Sequence, residues 1–292
     1  MPRRPSNRGE RPTIDIASPL EDVLARVDET SDGTRPPDSA PTGFPSVDRV
    51  LGGGFRRGDL IVLGGDIGSG KSALALAMAV RSAVDGCSVV FYVGEASIER
   101  VAERILAIEG RARVEDIRRG ALDDATRASV AAAAARLRDA DLVVGRMAAT
   151  VDALAKDLGS RRGIELVVVD PLQMLAGGRM TQDEELALAV RQLKTLSVDL
   201  DAAVLVTAHL SNLAARADRR PQLDDFGALG AVKQHADVVL GLFREGMYDA
   251  AQSLEGATEL HVLKNRSGPT AYADLYFYEQ WMRFEDLVDP DR

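Results

Sequence analysis

A single cysteine, Cys87, excludes any disulfide within the chain. It opens an apolar run, where packing is expected rather than catalysis, and it suits a reducing compartment. Aromatic residues are scarce at 4%, so aliphatic side chains must do most of the packing in a chain that is 46% hydrophobic. No apolar run approaches the ~18 residues of a membrane helix. The N-terminus holds Arg3, Arg4, Arg8 and Arg11 with no apolar segment, so no secretory signal is expected. Basic charge is also short: 45 Asp and Glu against 36 Lys and Arg give a net charge of -9. Monomeric nucleic-acid binders usually show the reverse. Any contact with DNA or RNA must therefore come from a local basic patch, such as the lining of a channel. The expectation is a cytoplasmic protein of one large domain or two small ones.

What is present is a phosphate-binding motif. Gly65-Asp66-Ile67-Gly68-Ser69-Gly70-Lys71-Ser72 fits G-x-x-x-x-G-K-[ST]. An apolar strand, 59–63, leads in, and an alanine-rich helix from Ser72 to Ala83 leads out. Gly65, Gly68 and Gly70 let successive backbone N–H groups turn inward around phosphate oxygens, with Ser69 among them. The helix N-terminus adds partial positive charge. Lys71 is the residue to reach the β- and γ-phosphates, and the Ser72 hydroxyl is the one to ligate Mg2+. A nucleoside triphosphate, bound and hydrolysed, is the implied substrate.

Apart from the motif, the chain divides by composition. Residues 1–17 read as a disordered basic tail. Residues 18–29 read as a short amphipathic helix. There Ser18, Pro19 and Glu21 make a capping box, and Leu20, Val23, Leu24 and Val27 share one face. Such a helix either folds back on its own domain or docks on a neighbouring subunit. Residues 30–42 read as a flexible linker. A body at 43–287 follows, with a short tail at 288–292. Apolar strands at 59–64, 88–93, 141–144, 164–169, 203–208 and 237–243 alternate with helical patterns at 72–85, 97–109, 123–138, 150–161 and 183–200. That alternation predicts an α/β fold, a mostly parallel sheet covered by helices on both faces. Strands 258–264 and 272–278 have no helix between them and read as an antiparallel hairpin turning at Ser267-Gly268-Pro269.

Ligands in such sheets bind at the carboxyl ends of strands, and three polar residues stand there. Asp170 ends Val167-Val168-Val169 and is placed to hold Mg2+. Glu95 follows Val89–Gly94 and is the candidate general base, polarising the water that attacks the γ-phosphate. His209 follows Leu205-Val206-Thr207-Ala208 and is placed to donate a hydrogen bond to the γ-phosphate.

Thr42-Gly43-Phe44-Pro45-Ser46-Val47-Asp48, Gly52-Gly53-Gly54, Gly58-Asp59-Leu60, the phosphate loop, Glu95, Asp170-Pro171-Leu172-Gln173 and Gln234-His235-Ala236-Asp237 follow in order. So do Phe243-Arg244-Glu245, Lys264-Asn265-Arg266-Ser267-Gly268-Pro269 and Trp281-Met282-Arg283-Phe284. Over residues 42–286 this series resembles the RecA-like C-terminal ATPase domain of DnaB-type replicative helicases. The resemblance implies a RecA-like P-loop fold, ATP and Mg2+, and a hexameric ring that hydrolyses ATP between subunits while moving along single-stranded DNA. It implies that Arg104 lies near the phosphates and that Gln173 couples the Mg2+ site to the following loop. Lys264 and Arg266 would enter the neighbouring subunit's site, Arg266 as an arginine finger. The 18–29 helix would pack on the adjacent subunit.

Two departures qualify the resemblance. The family's N-terminal collar domain, which contacts primase, has no counterpart in the roughly 40 residues ahead of the body, so a primase or loader partner does not carry over. The family's Arg-Glu pair before the glycine of its DNA-binding loop is replaced by Gly227 and Ala228, ahead of Gly230. DNA contact then falls to backbone N–H groups about Gly230 and to Arg179, Arg216, Arg219 and Arg220. Two alternatives follow. One is a RecA/RadA-like recombination ATPase, where Lys-Asn-Arg before Gly also occurs. The other is a regulatory ring ATPase that binds protein and has lost unwinding.

Overall fold

The computed structural model describes residues 15–33, 38–178, 180–210, 219–248 and 254–287. The chain divides into two compact units at Asp38/Ser39. The first carries one helix, α1 (Ala17–Ser31), with Leu20, Val23, Leu24 and Val27 exposed along it. The expected Ser18 cap is not formed. The cap position falls two residues earlier, at Ile16, where no side chain caps the helix, and the Asp15 carboxylate accepts the Ala17 N–H at 3.1 Å.

The second unit begins inside the expected linker. β1 (Ser39–Ala40) pairs with β2 (Phe55–Arg56), on either side of α2 (Pro45–Leu51). Gly54 permits that pairing: at φ +114° it lies so close to Ala40 that a Cβ would meet the Ala40 carbonyl oxygen at 2.3 Å. The phosphate loop then runs between β3 (Leu60–Gly65) and α3 (Lys71–Val84). β4 (Val89–Val93), α4 (Ile98–Gly110), α5 (Val114–Arg119), α6 (Asp124–Arg138), β5 (Leu142–Arg146) and α7 (Val151–Leu158) follow. The chain continues through β6 (Leu166–Asp170), α8 (Gln182–Leu200), β7 (Ala203–His209), α9 (Ala231–His235) and β8 (Val238–Phe243). It closes with β9 (Ala257–Asn265), β10 (Ala271–Tyr278) and β11 (Arg283–Asp286).

Nine of these strands form one sheet in the order β11-β10-β9-β8-β3-β7-β6-β4-β5. The six from β8 to β5 run parallel, and β9, β10 and β11 are added antiparallel. The expected hairpin is therefore present and gains a third strand. Alternation along β3 sorts its side chains. Ile61 and Leu63 join the core under α2, α3 and α4, while Leu60 and Val62 join the core under α7, α8 and α9. Both faces of the sheet are thus buried, as the unbroken apolar strands required. Thr181 opens α8 with a capping box to Glu184, and Thr150 caps α7 by accepting the Ala153 N–H. Among the described residues no helix is long and apolar enough to cross a membrane.

Candidate nucleotide site

Parallel register gathers the carboxyl ends of four strands. Gly65 is level with His209 across β3 and β7, and Val93 is level with Asp170 across β4 and β6. The Gly94 N–H donates to the Asp170 carbonyl at 2.8 Å, which fixes Glu95, exposed, one residue beyond the end of that extension of β4. The loop itself turns at Gly68 (φ +82°) and Gly70 (φ +95°). A side chain at Gly65 would strike the Ser69 hydroxyl at 2.4 Å, and one at Gly70 would strike the Phe284 ring at 2.9 Å. No side chain caps α3 and no acidic residue stands in its first turn. Its leading amides and partial positive charge are left for an anion. The Ser69 hydroxyl is buried without a hydrogen-bond partner, an orphaned polar group inside that cradle.

Lys71 is only 6% exposed, and its ammonium reaches the Asp66 carbonyl at 3.4 Å, too long for a strong bond. Burial lowers its pKa, and the charges of Asp170, Asp66 and Glu95 pull it back up. The Ser72 hydroxyl donates to Asp170 Oδ1 at 2.9 Å, and the Thr207 hydroxyl donates to the same oxygen. The Gln173 side-chain carbonyl accepts the His209 backbone N–H at 3.3 Å, tying the turn after β6 to the end of β7. Burial, then the Lys71 charge, holds the His209 imidazole below the ordinary histidine range, against the pull of Glu95 and Asp170. Lys71, Ser72, Glu95, Asp170, Gln173 and His209 thus share one edge of the sheet.

Other expected residues lie elsewhere. Arg104 is half-buried on the second turn of α4. Lys264 is level with Val239 near the end of β9, and Arg266 follows that strand, its N–H donating to the Asp237 carbonyl at 2.9 Å, close to the start of β3. Along β3 the backbone at Lys264 is level with Val62, three residues short of Gly65, an offset of ~10 Å at ~3.3 Å per residue, and Arg266 lies further from that end. Arg179 and Arg216 fall outside the described residues. Arg219 lies over the Tyr248 ring at 4.8 Å. Arg220 forks onto Glu259 at 2.8 and 2.7 Å, so its charge is already matched. The Gly230 amide donates to the Gly227 carbonyl at 3.0 Å. That corrects the expectation of a free backbone donor there: the turn closes on itself.

Three participants were given no role at the loop by the sequence: Arg244 and Phe284 stood in the ordered series of motifs, and Tyr248 did not. The segment after β8 folds over the loop: the Tyr248 hydroxyl donates to Asp66 Oδ2 at 2.8 Å, and Arg244 donates to the Gly68 carbonyl at 3.3 Å. Burial and that carboxylate push the Tyr248 phenol up to about 12. Phe284 packs under Gly70 from the far end of the chain. Thr207 was not singled out either, although a polar residue within an otherwise apolar run is a signal that could have found it.

Residues 39–286 match the family model described as the DnaB-like helicase C terminal domain. The chain is 30% identical over 256 residues to a protein named replicative DNA helicase DnaB from Leifsonia xyli subsp. xyli. It is 28% identical over 257 residues to one named replicative DNA helicase DnaC from Bacillus subtilis. Each alignment covers 85% of this chain and 56% of the relative, so the chain spans little more than half their length. Among solved structures, one titled as an ATPase domain superposes with a TM-score of 0.83 at 23% identity, covering 92% of this chain and 99% of that one. Another, titled as a DnaB-like replicative helicase and its interactions with primase, gives 0.82 at 22% identity, covering 96% and 68%. The fold is that of these RecA-like domains.

Proposed function

The chain belongs to the DnaB-like helicase C-terminal domain family, and from that premise we propose that it is a ring ATPase. It hydrolyses ATP between subunits and moves along single-stranded DNA, unwinding duplex. The observation that carries this is the split of the catalytic set across the sheet. One edge holds an uncapped, partly unsatisfied phosphate cradle, and the opposite edge holds Lys264 and Arg266. Both cations are held there by carbonyls of residues 233–236, which supports a site completed by a neighbouring subunit.

In that site Lys71 neutralises the β- and γ-phosphates, and the amides of α3 surround them with the Ser69 hydroxyl. The adjoining Ser72 hydroxyl and Asp170 carboxylate are a hard-oxygen pair that would hold Mg2+. Bound there, the ion would offset negative charge on the phosphates. Glu95 polarises the attacking water. His209, neutral near pH 7, donates one N–H toward the γ-phosphate, and Gln173 links its backbone to the turn after Asp170. Arg104 assists from α4. Lys264 and Arg266 of one subunit stabilise the transition-state charge in the next. A hexamer, with α1 packed on the adjacent subunit, and a cytoplasmic setting belong to the same reading.

DNA contact is assigned to Arg179, Arg216 and Arg219, with Arg220 and Gly230 shaping the loop. Repeated around a channel, these arginines supply positive charge that the acidic chain lacks as a whole. A second reading, a regulatory ring ATPase that binds protein, is favoured by Gly227-Ala228 where the family has Arg-Glu. ATPase rate with and without single-stranded DNA at low salt separates the two. Stimulation that disappears in Lys71→Ala and Glu95→Gln supports the helicase. Neither binding nor stimulation by DNA would leave the regulatory ATPase.

A further inference from the structure

Asp237 is a buried carboxylate that the nucleotide site does not use. It lies at the junction of α9 and β8 and is 3% exposed. Its Oδ2 accepts the Leu60 N–H at 2.8 Å and the Lys194 ammonium at 2.6 Å. Its Oδ1 faces Arg266 Nε at 3.3 Å. The main chain doubles the link, since the Arg266 N–H donates to the Asp237 carbonyl at 2.9 Å. Arg266 also donates from Nη2 to the Gln234 carbonyl at 3.3 Å. Lys264 donates to the carbonyls of Lys233 at 2.8 Å and Ala236 at 2.5 Å. Both cations assigned to the neighbouring site are therefore seated on one short segment, 233–237.

The grip on Arg266 is one-sided. Nε and Nη2 are held, while Nη1 keeps its donors for another acceptor, and the side chain is 54% exposed. A guanidinium fixed along one edge presents the other in a set direction. Asp237 is itself fixed, because Lys194 and the Leu60 amide both hold Oδ2. Lys194 is further anchored to the Gly58 carbonyl at 2.8 Å. It sits on α8, the helix that begins beyond the Asp170 turn, so the brace belongs to the element that leaves the chain's own nucleotide site.

We propose that Asp237, braced by Lys194, is a positioning residue that aims Arg266 into the nucleotide site of the neighbouring subunit. This rests on the interfacial reading above and assigns the residue that makes the finger rigid. The carboxylate touches no phosphate; it acts through the guanidinium.

Mixed rings test it. Subunits carrying Arg266→Ala keep a sound phosphate loop, and those carrying Lys71→Ala keep a sound finger. Each alone is expected to be inactive, and a mixture is expected to regain ATPase activity. Asp237→Asn keeps an oxygen for the Leu60 amide and removes the charge that orients Arg266. Alone, it is expected to lower kcat about tenfold or more with little change in KM, because the finger acts on transition-state charge. Mixed with Lys71→Ala subunits it should regain activity as Arg266→Ala does. Combined with Arg266→Ala in one chain it should cost nothing further. Wild-type turnover in Asp237→Asn overturns the proposal. So does a loss that Lys71→Ala subunits fail to repair while they repair Arg266→Ala; the finger assignment then stands alone. If Arg266→Ala is not repaired either, the interfacial reading falls and this proposal with it. Should Asp237→Asn not assemble, Lys194→Met removes the brace and leaves the full carboxylate charge beside Arg266. The same loss and the same repair are expected, and wild-type turnover overturns the proposal.

Discussion

At the scale of single residues, backbone space decides most of the nucleotide site. Gly70 combines φ +95° with the Phe284 ring 2.9 Å from where a Cβ would stand. Gly70→Ala is expected to destabilise the unit by about 1–3 kcal/mol, from left-handed strain and overpacking together. Nucleotide affinity should fall with it, measured by titration with a fluorescent ATP analogue and by thermal melting. Charge decides the rest. Burial lowers the folded-state pKa of His209, so the unfolded chain binds this proton more readily. Its contribution to stability is then complete above the ordinary pKa near 6.5 and is lost as pH falls through the window below it. Melting temperatures from pH 7.5 to 5 should fall less steeply in His209→Gln than in the parent. Equal slopes would show that the imidazole is not held neutral. Lys71 was legible from its motif and Asp170 from its strand. Tyr248 and Phe284 were not, because they reach the loop only once β8 to β11 have been added beside β3.

At the scale of elements, legibility followed burial. Strands apolar on both sides, such as 166–170 and 203–209, announce themselves without periodicity, and the helices between them carry capping residues. β1 and β2, two residues each, offer no pattern to read and exist because they pair with one another. The Ser18 cap failed because Asp15 reaches the first amide from further back. Least legible was the turn at 227–230, where four successive residues have positive φ, Ala228 and Leu229 among them. Two non-glycine residues in that region cost about 1 kcal/mol or more each. Leu229 is 65% exposed, so its side chain offsets little of that strain. Leu229→Gly is expected to leave stability unchanged or raise it by up to about 1 kcal/mol in urea unfolding. A clear loss of stability would mean the leucine side chain is anchored. The turn closes on itself through the Gly230 amide, which donates to the Gly227 carbonyl.

At the scale of the molecule, the residues assigned to the proposed site stand at two opposite ends of the sheet's strands. Nucleotide-binding groups gather where β3, β4, β6 and β7 end, and Lys264 and Arg266 stand where β3 begins. A rigid sheet keeps those ends apart within one chain, so the proposed site using both takes two chains arranged head to tail, the kind of contact from which rings are built when the rotation closes. Strand ends placed the first group from the amino-acid order alone. The second group came only through resemblance, because nothing in Lys264-Asn265-Arg266 states which phosphate the cations face. The most direct test follows ATPase rate per subunit against protein concentration, with mass in solution recorded on the same samples. Activity is expected to rise with the oligomer, to vanish on dilution to monomer, and to be lost in Arg266→Ala at every concentration. A monomer that turns over at the full rate, with Arg266→Ala as active as the parent, would contradict the interfacial site.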